Sequence, residues 1–477
     1  MSSFYAELVP AHSGVTGSCF VLTVNFPNRT KFSAAIDCGM FQGKDEAMNY
    51  DTPLLSGVKR ADALFLTHNH VDHTGRVPEL VREGFRGKIY TSNATFGLLD
   101  KAWFDCEKLE RGNAAKTGRY PRFKKSHVTK ALQQVKVLRN RARAHIHPNV
   151  WVTLFKNGHV FGSSMIFFEI SENEFEEPSL RFLFTGDYNG KNRFFTVKDL
   201  PEDVKNMPLH IICEATYGEN ARQVFREPLF EKNILKGSSI GRDILIPVFA
   251  FERGQIILSI LKELQQTGQL NKNVPIFMDG KLFKEYTSHY MKVARAYFDK
   301  VTKYDLLPAN ATWVKSQKQR MEILSRNGPK IVVASGGMAS FGASQAYLPS
   351  FISNPNGIIH FTGYQCEGTL GRKLQLANET KSPLIFGGKV TRVDCKMLFT
   401  EEFSSHASRD ELLEFIRGFK HKRSILLNHG SYEAKKEMAE AIVTNFIADE
   451  VAIAERCVRY RYTPYKLEKI IRGTNES

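Results

Sequence analysis

The chain has 477 residues, 42% apolar and 24% charged, which is ordinary for a globular protein and long enough for one to three domains. Its net charge of +16 is not ordinary, and favours a polyanionic partner such as nucleic acid or an anionic surface, although charge alone also fits a merely basic enzyme. The seven cysteines are odd in number and form no CxxC pair, which argues against a disulfide framework or a thiolate zinc site and fits a reducing cytosol. The opening MSSFYAELVP lacks the basic and apolar regions of a signal peptide, and no apolar run approaches the roughly 18–20 residues of a membrane span. A cytoplasmic chain without membrane association is expected.

In chain order, residues 18–26 and 32–37 read as strands around a turn at Pro27-Asn28. Residues 61–66 form a further apolar strand that ends at Thr67-His68, and 150–155, 164–170 and 181–185 form a third set. Helices are predicted over Val77–Glu83 and over the long segment 126–144. The pattern then changes. Strand-like runs at 243–249, 274–278, 330–334 and 357–361 alternate with helical runs at 253–266, 282–298 and 315–326, as in βαβ units on a parallel sheet. Residues 397–403, a helix at 408–418 and a strand at 423–427 return to the earlier style, and the tail beyond Pro464 is polar and expected to be loose at its very end. The expected division is 1–220, 221–382 and 383–477, the middle segment being an inserted α/β domain.

The strongest local signal is Thr67-His68-Asn69-His70-Val71-Asp72-His73, directly after an apolar strand. A loop at a strand end can turn several side chains toward one point. Imidazole suits zinc, and a carboxylate adds a harder ligand. Four ligands in one loop do not complete two metal sites, so further donors are expected downstream. His159 in Asn157-Gly158-His159, Asp187 in Thr185-Gly186-Asp187 and His429 in Asn428-His429-Gly430 all follow apolar runs and adjoin glycine. Each alone reads better as a satisfied turn residue; their order and contexts together change that reading.

The series His68-x-His70-x-Asp72-His73, His159 and Thr185-Gly186-Asp187 resembles the motifs of the metallo-β-lactamase superfamily, with Asp37 in Ile36-Asp37-Cys38-Gly39 similar to its first motif. Glu214-Ala215-Thr216-Tyr217-Gly218, Phe403-Ser404-Ser405-His406 and His429-Gly430 resemble the three motifs of the β-CASP family, whose nucleases include the cleavage-and-polyadenylation endonuclease and prokaryotic relatives. The resemblance implies an α/β fold: an αββα sandwich carrying an inserted β-CASP domain. It implies two zinc ions per chain, one on His68, His70 and His159, the other on Asp72, His73 and His429, with Asp187 bridging. Manganese remains open, because the same donors accept it. Asp72 and Asp187 then serve catalysis as well as binding, and Asp37 orients a ligand from behind, against the plainer reading of a turn Asp before Gly39.

Paired zinc ions acidify a shared water and neutralise phosphate oxygens. The leaving oxygen then needs a proton. His406 is the candidate acid, since imidazole titrates near neutrality; helix capping beside Ser404, Ser405 and Ser408 is its plainer role. Glu214 either takes part directly or supports His406. Ser335, Gly336, Gly337 and Gly363 are candidate phosphate contacts through backbone N–H groups, or simply turn formers.

Between Arg111 and Arg143 stand eleven Lys or Arg and no acid, with Tyr120, Phe123 and His127 among them. This reads as a polyanion-binding face, against the usual solvated helix face. Arg456–Tyr462 is either a smaller basic patch or a charge-protected edge strand. His429 at the third β-CASP position is, in this family, typical of members acting on RNA rather than DNA. The expectation is a zinc-dependent ribonuclease, an endonuclease with 5′-exonuclease activity left open, in RNA processing or decay. Single-stranded RNA is expected to enter between the domains, and a homodimer is left open. The alternatives are a hydrolase of a small ester or thioester, and a catalytically silent RNA-binding subunit.

Overall fold

The computed structural model describes residues 4–219, 228–300, 306–448 and 450–470. The expected boundary at residue 220 and the very end of the tail lie outside the described residues. The chain forms two compact units: one holds the described residues of Met1–Asn192, Thr196–Arg222 and Ser405–Ser477, the other Arg193–Phe195 and those of Gln223–Ser404.

The first unit is built on two sheets. The eight-stranded sheet runs Leu467–Ile470, Arg459–Tyr462, Tyr5–Pro10, Phe20–Asn25, Lys31–Ile36, Ala63–Phe65, Lys88–Ser92, Val135–Leu138 in space. The seven-stranded sheet runs Val451–Ile453, Lys422–Asn428, Leu209–Glu214, Leu180–Phe184, Ser164–Ile170, Val150–Lys156, Ala144–His147. Side chains alternate across each strand, so one face of each sheet meets the other sheet. Phe65 meets Phe168 edge-on at 5.0 Å and Phe20 meets Phe184 at 5.8 Å, ring centre to ring centre, across that shared core. The opposite faces each bury a helix layer. Leu64 and Leu66 pack with Leu80, Leu99 and Trp103, while Met165 and Phe167 pack with Leu412, Met438 and Ile442. The result is the αββα sandwich.

The second unit has a six-stranded, wholly parallel sheet ordered Ala311–Trp313, Ile276–Asp279, Ile331–Ser335, Asp243–Val248, Gly357–Phe361, Lys396–Phe399. Ile244, Ile246 and Val248 face helices Leu229–Ser239, Arg253–Gln266 and Lys281–Tyr297; Leu245 faces the other way, with Ile323, Phe351 and Leu374. Both faces are covered, as a parallel sheet requires.

Three sequence readings are corrected. The predicted helix over 126–144 stops early: helix Lys125–Gln134 gives way to strand Val135–Leu138, paired with Lys88–Ser92, and the chain then crosses to Ala144–His147 in the other sheet. Val135 and Val137 suit a pleated edge, and pairing overrides the helical pattern of their neighbours. Residues 397–403 do not return to the first unit, because Lys396–Phe399 completes the second unit's sheet against Gly357–Phe361. Arg459–Tyr462 is neither an edge strand nor an open patch. It lies between two strands, buries Tyr460 and Tyr462, and sets Arg459 and Arg461 on Glu7 at 3.3 and 3.0 Å.

Candidate metal centre

Every candidate ligand lies beyond the carboxyl end of a strand or in a loop facing that end. His68, His70, Asp72 and His73 follow Ala63–Phe65; His159 follows Val150–Lys156; Asp187 follows Leu180–Phe184; His429 follows Lys422–Asn428. His70 precedes the one-turn helix Val71–Thr74, which carries Asp72 and His73. The segment after Asp37 clamps this turn by backbone bonds, Cys38 N–H donating to His73 O at 2.7 Å and Met40 N–H to Val71 O at 2.9 Å, and from a separate loop Ser18 N–H donates to Asp72 O at 2.9 Å. A Cβ on Gly39 would stand 1.5 Å from Asp72 O, so only glycine permits this approach.

Two trios of donors converge on Asp187. In the first, His68 Nε2 and His70 Nδ1 are 2.9 Å apart, His70 Nδ1 and His159 Nε2 are 3.1 Å apart, and Asp187 Oδ2 lies 3.7 Å from His68 and 3.5 Å from His159. In the second, His73 Nε2 is 3.3 Å from His429 Nε2, Asp72 Oδ2 is 3.8 Å from His429 Nε2, and Asp187 Oδ1 is 3.2 and 3.4 Å from the two imidazoles. Asp187 Oδ1 is buried and receives no hydrogen bond of good geometry. Zinc–nitrogen bonds of about 2.0–2.1 Å imply donor–donor edges of about 3 Å. The donor types, the facing nitrogens and the unsatisfied carboxylate oxygen therefore fit divalent cations.

The far sides of four of the imidazoles are held. Asp37 takes Thr67 N–H at 2.9 Å on Oδ1, and on Oδ2 both the Thr67 hydroxyl and His73 Nδ1, each at 2.8 Å. The Thr67 hydroxyl, committed to Asp37, accepts from His68 Nδ1 at 3.0 Å. Ser405 O accepts from His159 Nδ1 at 2.9 Å, and Thr216 Oγ1 meets His429 Nδ1 at 3.0 Å. These contacts leave Nε2 of His68, His73, His159 and His429 directed inward. Asp37 and His429 hold left-handed backbones, φ 58° and 49°, a strain common where a site fixes side chains.

The electrostatics follow from burial and neighbours. Burial, reinforced by adjacent imidazoles, pushes His68 and His159 well below the usual histidine range and His70 down to about 4. Burial pulls His73 the same way, but Asp187 and Asp37 overcome it and raise it well above that range. Burial likewise opposes the charged form of His406, yet the Glu214 and Asp187 carboxylates lift it to about 9.

His406 Nδ1 lies 2.8 Å from Glu214 Oε2, and its Nε2 lies 3.8 Å from Asp187 Oδ2. Helix Arg409–Arg417 is capped by Ser408 with Glu411, so His406 is not its cap. Glu214 ends strand Leu209–Glu214 and also accepts from Tyr188 N–H and, at 2.6 Å, from the Thr216 hydroxyl.

Ser335, Gly336, Gly337 and Gly363 belong to the second unit. Gly336 N–H donates to Val248 O at 2.9 Å, and a Cβ on Gly336, at φ 110°, would stand 2.0 Å from Phe341 O. The turn itself accounts for this glycine and for its amide.

The sequence gives no warning of Thr67, Thr216 or Asn157. Asn157 Nδ2 donates to Thr185 O at 2.9 Å and Asp187 O at 2.8 Å, fixing the aspartate's backbone. All three lie inside the motif strings, but neither hydroxyl nor amide is a ligand type that spacing singles out.

The metallo-β-lactamase superfamily matches residues 15–199, the Beta-Casp domain 254–374, and the Zn-dependent metallo-hydrolase RNA specificity domain 391–453. This chain is a β-CASP member of the metallo-β-lactamase superfamily. A ribonuclease of Thermus thermophilus is 29% identical over 88% of this chain and 92% of its own length. Transcription termination factor FttA of Methanosarcina mazei is 27% identical over 89% of this chain, which spans only 66% of that relative; the factor of Methanocaldococcus jannaschii is 27% identical over 85%, and is spanned to 64%. A crystal structure of a protein of unknown function from Enterococcus faecalis shares the fold, with TM-score 0.54 and 11% identity over 95% of this chain and 99% of that one. As a β-CASP metallo-hydrolase the chain has a His/Asp cluster suited to metal. Among the described residues no helix is long and apolar enough to cross a membrane.

Proposed function

We propose that this β-CASP protein cleaves single-stranded RNA at phosphodiester bonds, as an endonuclease, with two zinc ions held by its His/Asp cluster. The observation that carries the reading is the pair of donor trios meeting at Asp187, with His406 seated on Glu214 beside them. His68, His70 and His159 would hold one ion, Asp72, His73 and His429 the other, and Asp187 would face both. Such ions supply Lewis acidity toward phosphate oxygens and acidify water. The protein's own groups do the rest. Glu214 accepts from His406 Nδ1–H, which leaves Nε2 to carry a proton toward the leaving oxygen. Glu214 is thus a positioning residue, itself held by Tyr188 N–H and the Thr216 hydroxyl. Asp37, Thr67, Ser405 and Thr216 fix the ring orientation of the ligands.

The RNA reading draws on the ribonuclease and termination-factor relatives and on the matching RNA specificity domain. The test is digestion of 5′-labelled single-stranded RNA and its DNA equivalent by wild type and by an Asp72→Ala, His73→Ala variant, with and without chelator. Internal RNA fragments, lost in the variant and with chelator, are expected. Mononucleotides as the sole product point to 5′-exonuclease action instead.

A further inference from the structure

The structure sorts nine of the eleven basic residues between Arg111 and Arg143 into two classes; Lys116 and Arg119 are exposed at the end of helix Asn93–Thr117 and just past it. Arg122 is buried, with Glu110 at 2.8 Å and Glu79 at 3.1 Å. Arg111 pairs with Glu107 at 3.3 Å and Arg143 with Glu169 at 2.9 Å, while Arg141 donates to the backbone oxygens of Lys198 and Asp199. These four do internal work. Lys124, Lys125, Lys130, Lys136 and Arg139 are exposed and have no acidic partner among the described residues. They lie along helix Lys125–Gln134 and the edge strand after it.

Beside that helix runs helix Val77–Arg82, and between the carboxyl end of the shorter helix and the side of the longer one lies a groove of about 380 Å³. Arg82, Arg86, His127, Lys130, Gln133 and Gln134 line it. Glu83, next to Arg82, is already shared by Arg82 and Lys59. His127 Nδ1 accepts from Lys124 N–H at 3.0 Å, so in the neutral ring the proton sits on Nε2, a donor. Gln134 gives its amide N–H to Phe85 O at 3.3 Å, and its Oε1 is buried with no hydrogen-bond partner. The walls thus offer cationic donors for phosphate. Several spaced cations suit a run of backbone phosphates better than a lone anion, and a concave groove suits a strand better than a planar membrane.

Topology separates this groove from the metal loop. Strands Ala63–Phe65, Lys88–Ser92 and Val135–Leu138 are parallel. The metal loop follows the carboxyl end of the first. Arg86 precedes the amino end of the second and Gln134 that of the third, so the groove lies at the opposite end of the sheet.

We propose that this groove is an RNA exosite, which anchors backbone phosphates of a single strand away from the site of cleavage; the assignment rests on the RNA reading above. It retains substrate on the enzyme through sequence-independent contacts.

The test measures binding of a fluorescent 20-nucleotide RNA to the metal-loaded full chain in a His406→Ala background, which slows cleavage, across a series of salt concentrations. Adding Arg86→Gln and Lys130→Gln, both exposed positions, is expected to weaken binding about tenfold and to make the log K against log salt slope shallower by about 1.4, two phosphate contacts' worth. RNA is also expected to move the His127 imidazole titration upward in NMR spectra, because phosphate offsets burial and the charges of Lys130, Arg82 and Lys124 that now hold it down. Unchanged affinity and slope with an unchanged melting temperature overturn the exosite. So does a His127 response to inorganic phosphate, or an Arg86- and Lys130-dependent binding to anionic vesicles, with no such response to RNA. If the parent binds no RNA at all, the RNA reading itself fails; if it binds and the added substitutions change nothing, the exosite alone fails.

Discussion

Asp37 Oδ2 and His73 Nδ1 lie 2.8 Å apart, a buried contact that joins the first sequence motif to the metal loop. The carboxylate accepts a hydrogen bond from Nδ1–H and so presents Nε2 to the cluster. Asp37→Asn keeps the shape but replaces this acceptor oxygen by a donor or a weaker acceptor. Metal affinity is expected to fall about 10–100-fold, as for other orienting partners of metal-bound imidazole. Competitive zinc titration of the two proteins checks it; equal affinities would remove Asp37 from the ligand support.

His406→Ala is expected to lower the cleavage rate about 10²–10⁴-fold while leaving metal content intact, the usual range for loss of a positioned acid. A substrate whose leaving oxygen is replaced by sulfur needs no proton, and should recover most of the loss. Failure of that recovery would assign His406 to something other than proton delivery. Glu214→Gln should show a smaller loss with the same partial recovery, since Glu214 acts through His406.

Two glycine substitutions should move stability in opposite directions. Gly39→Ala drives a Cβ into Asp72 O, and is expected to cost about 3 kcal/mol or more and to release the metal loop. Gly112→Ala sits in helix Asn93–Thr117 with open space around it, and should stabilise by about 0.5–1 kcal/mol. Denaturant midpoints of both variants against wild type provide the check.

Acid stability should report His210. Burial holds it down to about 4, while its two nitrogens contact Ser424 Oγ at 2.8 Å and Thr463 O at 2.9 Å. The unfolded chain binds this proton near 6.5, the ordinary value. Between those values the unfolded state carries more protons, so the contribution is complete above 6.5 and is lost as pH falls toward 4. His210→Gln should therefore show a shallower fall of melting temperature from pH 7 to pH 5. Identical slopes would contradict a neutral buried His210.

What the sequence made legible was the chemistry of the ligands and the alternation of the second unit. His68, His70, Asp72 and His73 share one loop, and helix Arg253–Gln266 has the predicted bounds. What it concealed depends on long-range pairing. Val135–Leu138 is a strand only because Lys88–Ser92 lies beside it, and Lys396–Phe399 joins the second unit because Gly357–Phe361 offers an edge. Thr67 and Thr216 each join a near neighbour to a distant partner through one hydroxyl, Thr67 linking His68 to Asp37 and Thr216 linking Glu214 to His429. Arg122 and Arg143 read as free charge until Glu79 and Glu169 are brought to them in the fold, whereas Arg111 has its acid, Glu107, one helical turn before it.

The most direct measurement is the initial rate of RNA cleavage as zinc is added back to metal-free protein, with bound metal counted in the same samples. The rate should rise with loading, level off at two ions per chain, and stay near zero for Asp187→Asn at every loading. Full activity without metal, or a wild-type chain that takes up two ions and leaves RNA intact, would contradict the account.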